Sequence, residues 1–258
     1  MKKELYPVIK GAESLYFSGN STGILLCHGF NGTPQSMEYI GKQLAKLGYT
    51  VSIPRLKGHG TNVEDMKNCV YNEWISDLQI AFDELKQKCD HVFAVGQSMG
   101  GALTIQLAAN TIVNGIFLIN AAVTDVAYKQ YRDETKPKMI EEGEPDIKKP
   151  AVHEITYESV PLEAVHQLLD LMDDTKNKIK YITTPTVIFK SSVDHVVPPA
   201  NSDFIYEQIS SVDKRIIELK NSYHVASMDY DAQLIVDNIN HHIQSLNAGI
   251  SVTELVNS

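Results

Sequence analysis

Six short runs of almost unbroken Val, Ile, Leu and Phe limit what this chain can fold into: TGILLCHG (22–29), YTVSIP (49–54), HVFAVG (91–96), NGIFLINA (114–121), PTVIFKSS (185–192) and RIIELKN (215–221). An amphipathic strand alternates apolar with polar, whereas a continuous apolar run of this length suits a strand covered on both faces, as in a parallel sheet. Between the runs lie helical patterns at 35–47, 72–88, 102–110, 162–178, 201–209 and 231–246. Strand and helix in alternation predict an α/β fold, a mostly parallel central sheet with helices on both faces.

One interval breaks the alternation. Between NGIFLINA and PTVIFKSS the first half of the gap, 124–160, is rich in Lys, Glu and Pro. Insertions this long are lids, binding elements or solvated loops. Tyr128, Tyr131, Ile147, Val152, Ile155 and Tyr157 give the segment something to bury, which favours a small cap. The expected organisation is therefore a core of 1–123 and 161–246, a cap insertion at 124–160 and a C-terminal tail at 247–258, within the size of one large domain.

Charge and cysteine usage exclude several classes of function. A formal net charge of −9 with scattered Lys and Arg disfavours nucleic acid and offers anionic lipid no basic cluster. No run reaches the length of a membrane span, so stable membrane insertion is not expected, and Glu4, Pro7 and Lys10 interrupt any signal-peptide core. Cys27, Cys69 and Cys89 form neither a paired framework nor a zinc spacing, which fits a reducing cytoplasm and predicts no metal site.

The chemistry concentrates at Gly96-Gln97-Ser98-Met99-Gly100-Gly101, between the run HVFAV and the helical ALTIQLAAN. A turn needs only one or two residues at positive φ, so glycines on both sides of one serine call for another reason. G-x-S-x-G between strand and helix is the nucleophile elbow of α/β-hydrolases, where a sharp turn exposes the serine hydroxyl above the sheet. Side chains at positions 96 and 100 would collide with the adjoining helix and strand.

A serine needs a base and an orienting acid, which in this fold follow in the order Ser, acid, His on loops after later strands. Asp194 in SSVDHVVPP follows PTVIFKSS, and His224 in KNSYHVASMDYD follows RIIELKN. Asp125, after NGIFLINA, is the alternative acid; His195 reads as a loop residue supporting the acid, and His241 and His242 as packed or solvated helix residues. Acyl transfer also needs N–H donors for the oxyanion, and these are expected from Met99, after the nucleophile, and from Phe30 in the loop ILLCHGFNG.

With HGFNGTPQSM, GYTVSIPRLKGHGTNVEDM, VGQSMGG, INAAV, DHVVPPANSD and NSYHVASMDYD in place, the chain resembles the bacterial monoacylglycerol lipases and the related carboxylesterases of the α/β-hydrolase superfamily. The resemblance implies cleavage of one-chain glycerides, without metal or organic cofactor, beneath a small cap. It also makes Glu154, in HEITYE, the candidate acceptor for glycerol hydroxyls. Gln97 departs from the apolar residue expected beside the nucleophile, and the cap matches less well than the core. Two alternatives stand beside a monoacylglycerol substrate: a small aryl, cinnamoyl or thioester acyl group, or a silent hydrolase fold that binds an apolar ligand.

Overall fold

The computed structural model describes residues 3–256. A short strand β1 (Leu15–Phe17) opens the chain and is followed by β2 (Thr22–Cys27), α1 (Pro34–Lys46), β3 (Thr50–Ile53), α2 (Val63–Lys67), α3 (Tyr71–Lys86), β4 (His91–Gln97), α4 (Met99–Asn110) and β5 (Gly115–Ile119). Next comes the insertion, with strands β6 (Met139–Glu141) and β7 (Ser159–Pro161). The chain ends with α5 (Leu162–Lys178), β8 (Thr186–Ser191), α6 (Ala200–Gln208), β9 (Lys214–Leu219) and α7 (Ala232–Val256).

Seven strands form one sheet in the order β1-β3-β2-β4-β5-β8-β9, with β1 antiparallel and every other pairing parallel. The continuous apolar runs now have their cause. Along β2, Ile24 and Leu26 enter one core while Leu25 and Cys27 enter the other; along β4, Phe93 and Val95 oppose Val92 and Ala94 in the same way. Helices α1 and α7 cover one face through Met37, Ile40, Leu44, Ile235 and Ile239. Helices α3, α4 and α5 cover the other through Trp74, Phe82, Leu103, Ile105 and Leu168. Each side chain removed from water this way contributes about 1.5–3 kcal/mol.

The structure differs from the sequence expectation in particular places. The strand expected at 215–221 runs from Lys214 to Leu219 and is mostly half-exposed, because it forms the sheet edge and has a neighbour on one side only. Three residues, LYF, were too short a signal to mark β1, and the five-residue α2 is held by its Asn62 cap, whose side chain accepts from Glu64 N–H. Helix α4 starts at Met99, three residues before the expected Ala102, directly after the candidate nucleophile. Helix α7 continues through Val256, so most of the segment set apart as a tail is helical; residues 257 and 258 lie outside the described residues.

The insertion pairs β6 with β7 antiparallel, Ile140 opposite Val160, and buries Val126, Ile140 and Val160. The aromatic and aliphatic residues expected to fill it are half-buried instead, with Tyr128, Tyr131 and Tyr157 packed against the larger core. Among the described residues, the three cysteines are free and buried, and no helix is long and apolar enough to cross a membrane.

Candidate active site

The turn between β4 and α4 forces Ser98 to φ 56° and ψ −119°, a conformation that costs a non-glycine residue about 1–3 kcal/mol. Four hydrogen bonds hold it there. Ser98 N–H donates to Ile119 O (2.9 Å), and Ser98 C=O accepts from Gly101 N–H (2.9 Å), Ala102 N–H (3.3 Å) and Ala122 N–H (3.1 Å). The flanking glycines are needed for close approach. A Cβ on Gly96 would stand 2.1 Å from Gly100 O, and one on Gly100 would stand 2.3 Å from Cys27 O at the end of β2.

Asp194 and His224 come together, with His224 lining the same cavity as Ser98. His224 Nδ1 donates to Asp194 Oδ2 (2.8 Å), while Asp194 Oδ1 accepts from the N–H groups of Val196 (2.9 Å) and Val197 (2.7 Å). Both side chains are buried, and the bond at Nδ1 leaves Nε2 as the nitrogen able to take a proton. Asp125 lies elsewhere: its carboxylate is 61% exposed and 3.6 Å from Lys129 Nζ. His195 is exposed and bonds Asp146, His241 lies on the exposed side of α7, and the buried His242 packs edge-on to Phe117.

The loop after β2 lies across the serine. A Cβ on Gly29 would be 3.3 Å from Ser98 Cβ and 3.9 Å from its Oγ, and the neighbouring Phe30 lines the same cavity as Ser98. His28 fixes this turn: its ring Nδ1 donates to Gly29 O (2.9 Å) and its Nε2 accepts from Leu56 N–H (3.2 Å). Complete burial, reinforced by neighbouring His59, pushes the His28 pKa down to about 3, so the ring stays neutral and keeps both bonds. Met99 is the first residue of α4, and its N–H belongs to the turn that a helix leaves without an internal partner.

Ser98, His224, Phe30 and Glu154 line a single cavity, to which the insertion also contributes Val126, Tyr128 and Glu142. Val126, Leu168, Val196 and Val197 make one side of it apolar, while Glu142, Asp146 and Glu154 bring carboxyl groups. Glu154 is 7% exposed and its pKa is raised to about 7 by burial, against the opposing influence of His224 and Ser36. Burial likewise raises the Glu142 pKa, although the Tyr128 hydroxyl donates to its Oε1 (2.5 Å). Gln97, the departure noted beside Ser98, is buried, and its Oε1 accepts from Ser227 N–H (3.1 Å) in the loop after His224.

Three further residues shape the site. Asn120 donates from Nδ2 to His224 O (2.9 Å) and to Ser191 Oγ (2.9 Å). Asn31, at φ 61°, exchanges two bonds with the main chain of Tyr157, tying the insertion to the Phe30 loop. Asp146 bonds the loops of both Asp194 and His224. Positive φ is tolerated by asparagine, which is the only trace of Asn31 and Asn120 in sequence; Asp146 leaves none within EGEPDIKK.

A strained serine between strand and helix, covered by the loop after β2 and accompanied by a buried His–Asp pair after later strands, defines an α/β-hydrolase. The comparisons agree. Residues 20–231 match the family model described as serine aminopeptidase S33, and the chain belongs to that family of serine hydrolases. It is 44% identical over 237 residues to the thermostable monoacylglycerol lipase of a Bacillus species, covering 91% of this chain and 95% of that one. To the carboxylesterase of Bacillus subtilis it is 25% identical over 236 residues, covering 89% and 95%. A solved structure from work on two metagenome-derived lipolytic enzymes superposes with a TM-score of 0.88 at 36% identity, over 93% of this chain and all of its own.

Proposed function

We propose that this chain hydrolyses monoacylglycerols to glycerol and a fatty acid, with residues 124–160 acting as a cap that shapes the substrate site. The observation that carries this reading is the two-sided cavity. An apolar wall of Val126, Leu168 and Val196 suits one acyl chain, and the buried Glu154 offers a carboxyl to a small polyhydroxyl head beside Ser98 and His224. Burying two glycerol hydroxyls without partners would cost about 1–3 kcal/mol each, so a carboxyl at that point favours the alcohol over an alkyl ester. The 44% identical relative bears the name of a monoacylglycerol lipase, which supports the same choice. The cysteine pattern fits a cytoplasmic site of action.

In the proposed cycle His224 Nε2 takes the Ser98 hydroxyl proton as Oγ bonds the ester carbon. The N–H groups of Phe30 and Met99 hold the oxyanion, and Asp194 keeps the proton-bearing nitrogen of His224 directed away from the reacting atoms. Collapse breaks the ester C–O bond, and His224 returns the proton to the departing glycerol oxygen. Water, deprotonated by the same ring, then attacks the acyl-enzyme; the fatty acid leaves and Ser98 recovers its proton. No cofactor takes part in this scheme.

The test compares monoacylglycerol, triacylglycerol and p-nitrophenyl esters of one acyl chain. Glu154→Leu should lower kcat/KM for monoacylglycerol about tenfold or more while sparing the p-nitrophenyl ester, which lacks the hydroxyls. Equal losses on both substrates, or faster turnover of triacylglycerol by the parent, would refute the assignment. The carboxylesterase relative keeps a simple-ester reading in view, and preference for short p-nitrophenyl or cinnamoyl esters over monoacylglycerol would establish it. Failure of a fluorophosphonate probe to label Ser98 would point to a silent binder.

A further inference from the structure

His224 and Asp194 sit on the connections after β9 and β8, outside regular helix and strand, so their mutual placement depends on side chains that grip those loops. The ring of His224 is held by Asp194, and its carbonyl is held from the sheet by Asn120 Nδ2 (2.9 Å). Its N–H is held from the opposite direction, by the insertion. Asp146 Oδ2 accepts from His224 N–H (3.1 Å) and from His195 N–H (3.1 Å), the residue next to the acid. Asp146 Oδ1 accepts from the His195 ring (2.7 Å), and the Asp146 carbonyl accepts from Val225 N–H (3.1 Å).

Asp146 is itself fixed. From the far end of the base loop, the buried Asp229 carboxylate accepts from Lys148 N–H (2.7 Å), Lys149 N–H (3.0 Å) and Tyr223 N–H (2.9 Å). The two carboxylates point in opposite senses: Asp146 reaches from the insertion to the base loop, and Asp229 reaches from the base loop back to the insertion. A carboxylate oxygen can accept several N–H bonds at once, and such charge-assisted bonds are about twice as strong as neutral ones.

We propose that Asp146 is a positioning residue for the hydrolysis, its carboxylate setting the relative placement of the acid-bearing and base-bearing loops. This inference rests on the triad reading above. It makes the stretch 146–149 part of the frame that aims His224. A displacement near 1 Å of such a group costs about a hundredfold in rate.

The test uses p-nitrophenyl acetate, whose small acyl and leaving groups do not depend on the polar end of the cavity. Asp146→Ala should lower kcat about tenfold to a hundredfold with KM changed less than about threefold, the pattern of misaimed chemistry and not of lost substrate contact. Asp146→Asn should recover most of kcat, because its amide oxygen can still accept both backbone N–H groups. Amide hydrogen exchange on the parent enzyme supplies a measurement independent of how the variants fold: His195 and His224 N–H should both be protected. An Asp146→Ala enzyme with unchanged kcat, a loss carried wholly by KM, an Asn variant as damaged as the Ala variant, or fast exchange at both amides would each overturn the proposal. Ser98→Ala and His224→Ala in the same assay separate the two failures: if either keeps full activity, the triad reading falls, whereas if both are inert and Asp146→Ala keeps the parent kcat, only the positioning role falls.

Discussion

Replacing Glu154 with Gln removes a proton that the folded chain holds and the unfolded chain releases. With a pKa of about 7 in the fold against an ordinary 4.5, the carboxyl stays protonated in the folded state over a window where the unfolded chain has already ionised. At about 1.4 kcal/mol per pH unit, the window corresponds to roughly 3 kcal/mol. Because the folded pKa is the higher one, this stability is fully present below about pH 4.5, declines as pH rises through about 7, and is absent above. The amide of the variant is neutral throughout. The stability of Glu154→Gln minus that of the parent should therefore rise by about 2–3 kcal/mol between pH 5 and pH 8, whatever constant offset the amide introduces. Urea unfolding followed by circular dichroism at several pH values gives both curves, and taking their difference cancels every other titrating group. A difference flat to within about 0.5 kcal/mol would refute the claim that burial holds this proton, since an exposed or already ionised carboxylate gives no slope there.

Two other outcomes follow from the geometry. Ser98→Ala and His224→Ala should each lower kcat by roughly a millionfold and Asp194→Asn by about ten-thousandfold, with Asp125→Asn close to the parent; reversal of the two Asp results would move the acid to the loop after β5. Gly96→Ala, whose new Cβ would lie 2.1 Å from Gly100 O and 2.4 Å from Thr104 Oγ1, has only backbone and a buried hydroxyl to push against. It should cost about 3 kcal/mol in urea unfolding, while Gly143→Ala, which meets nothing within 4 Å, should be neutral.

The elements legible in the sequence are those whose burial is complete. Strands β2, β4, β5 and β8 feed both cores, so nearly every residue is apolar and the run stands out. Edge strands carry weaker signals: β9 keeps Arg215 and Glu218 because one side lacks a neighbouring strand, and β1 is only three residues long. Ser98 was legible for a different reason. Its turn passes so close to Gly100 and to the end of β2 that side chains are excluded, and excluded side chains appear in sequence as glycine. Asp194 and His224 follow from chain order alone, and Glu154 from family resemblance. None of the three is distinguished by composition from its neighbours.

The hydrogen-bonded frame around His224 has no such trace, and the reason is physical. In EGEPDIKK the acids and the lysines that follow them describe a solvated loop equally well, and Asp146 differs from Glu144 only in what folding places beside it. Glu144 is exposed, whereas the Asp146 carboxylate collects two backbone N–H groups and an imidazole from loops 49 and 78 residues further along the chain. Those N–H groups belong to irregular segments with no ladder to satisfy them, and for the buried His224 a donor left unpaired costs about 1–3 kcal/mol. The loop carrying His224 therefore needs an acceptor from outside itself, and the same carboxylate also reaches the loop carrying Asp194. Asn120, just after β5, supplies a donor to the His224 loop and Asp146 an acceptor from the insertion, so the placement of His224 is a joint property of the core and the insertion. A substitution that displaces residues 146–149 should then be felt at His224 even by substrates too small to touch the insertion.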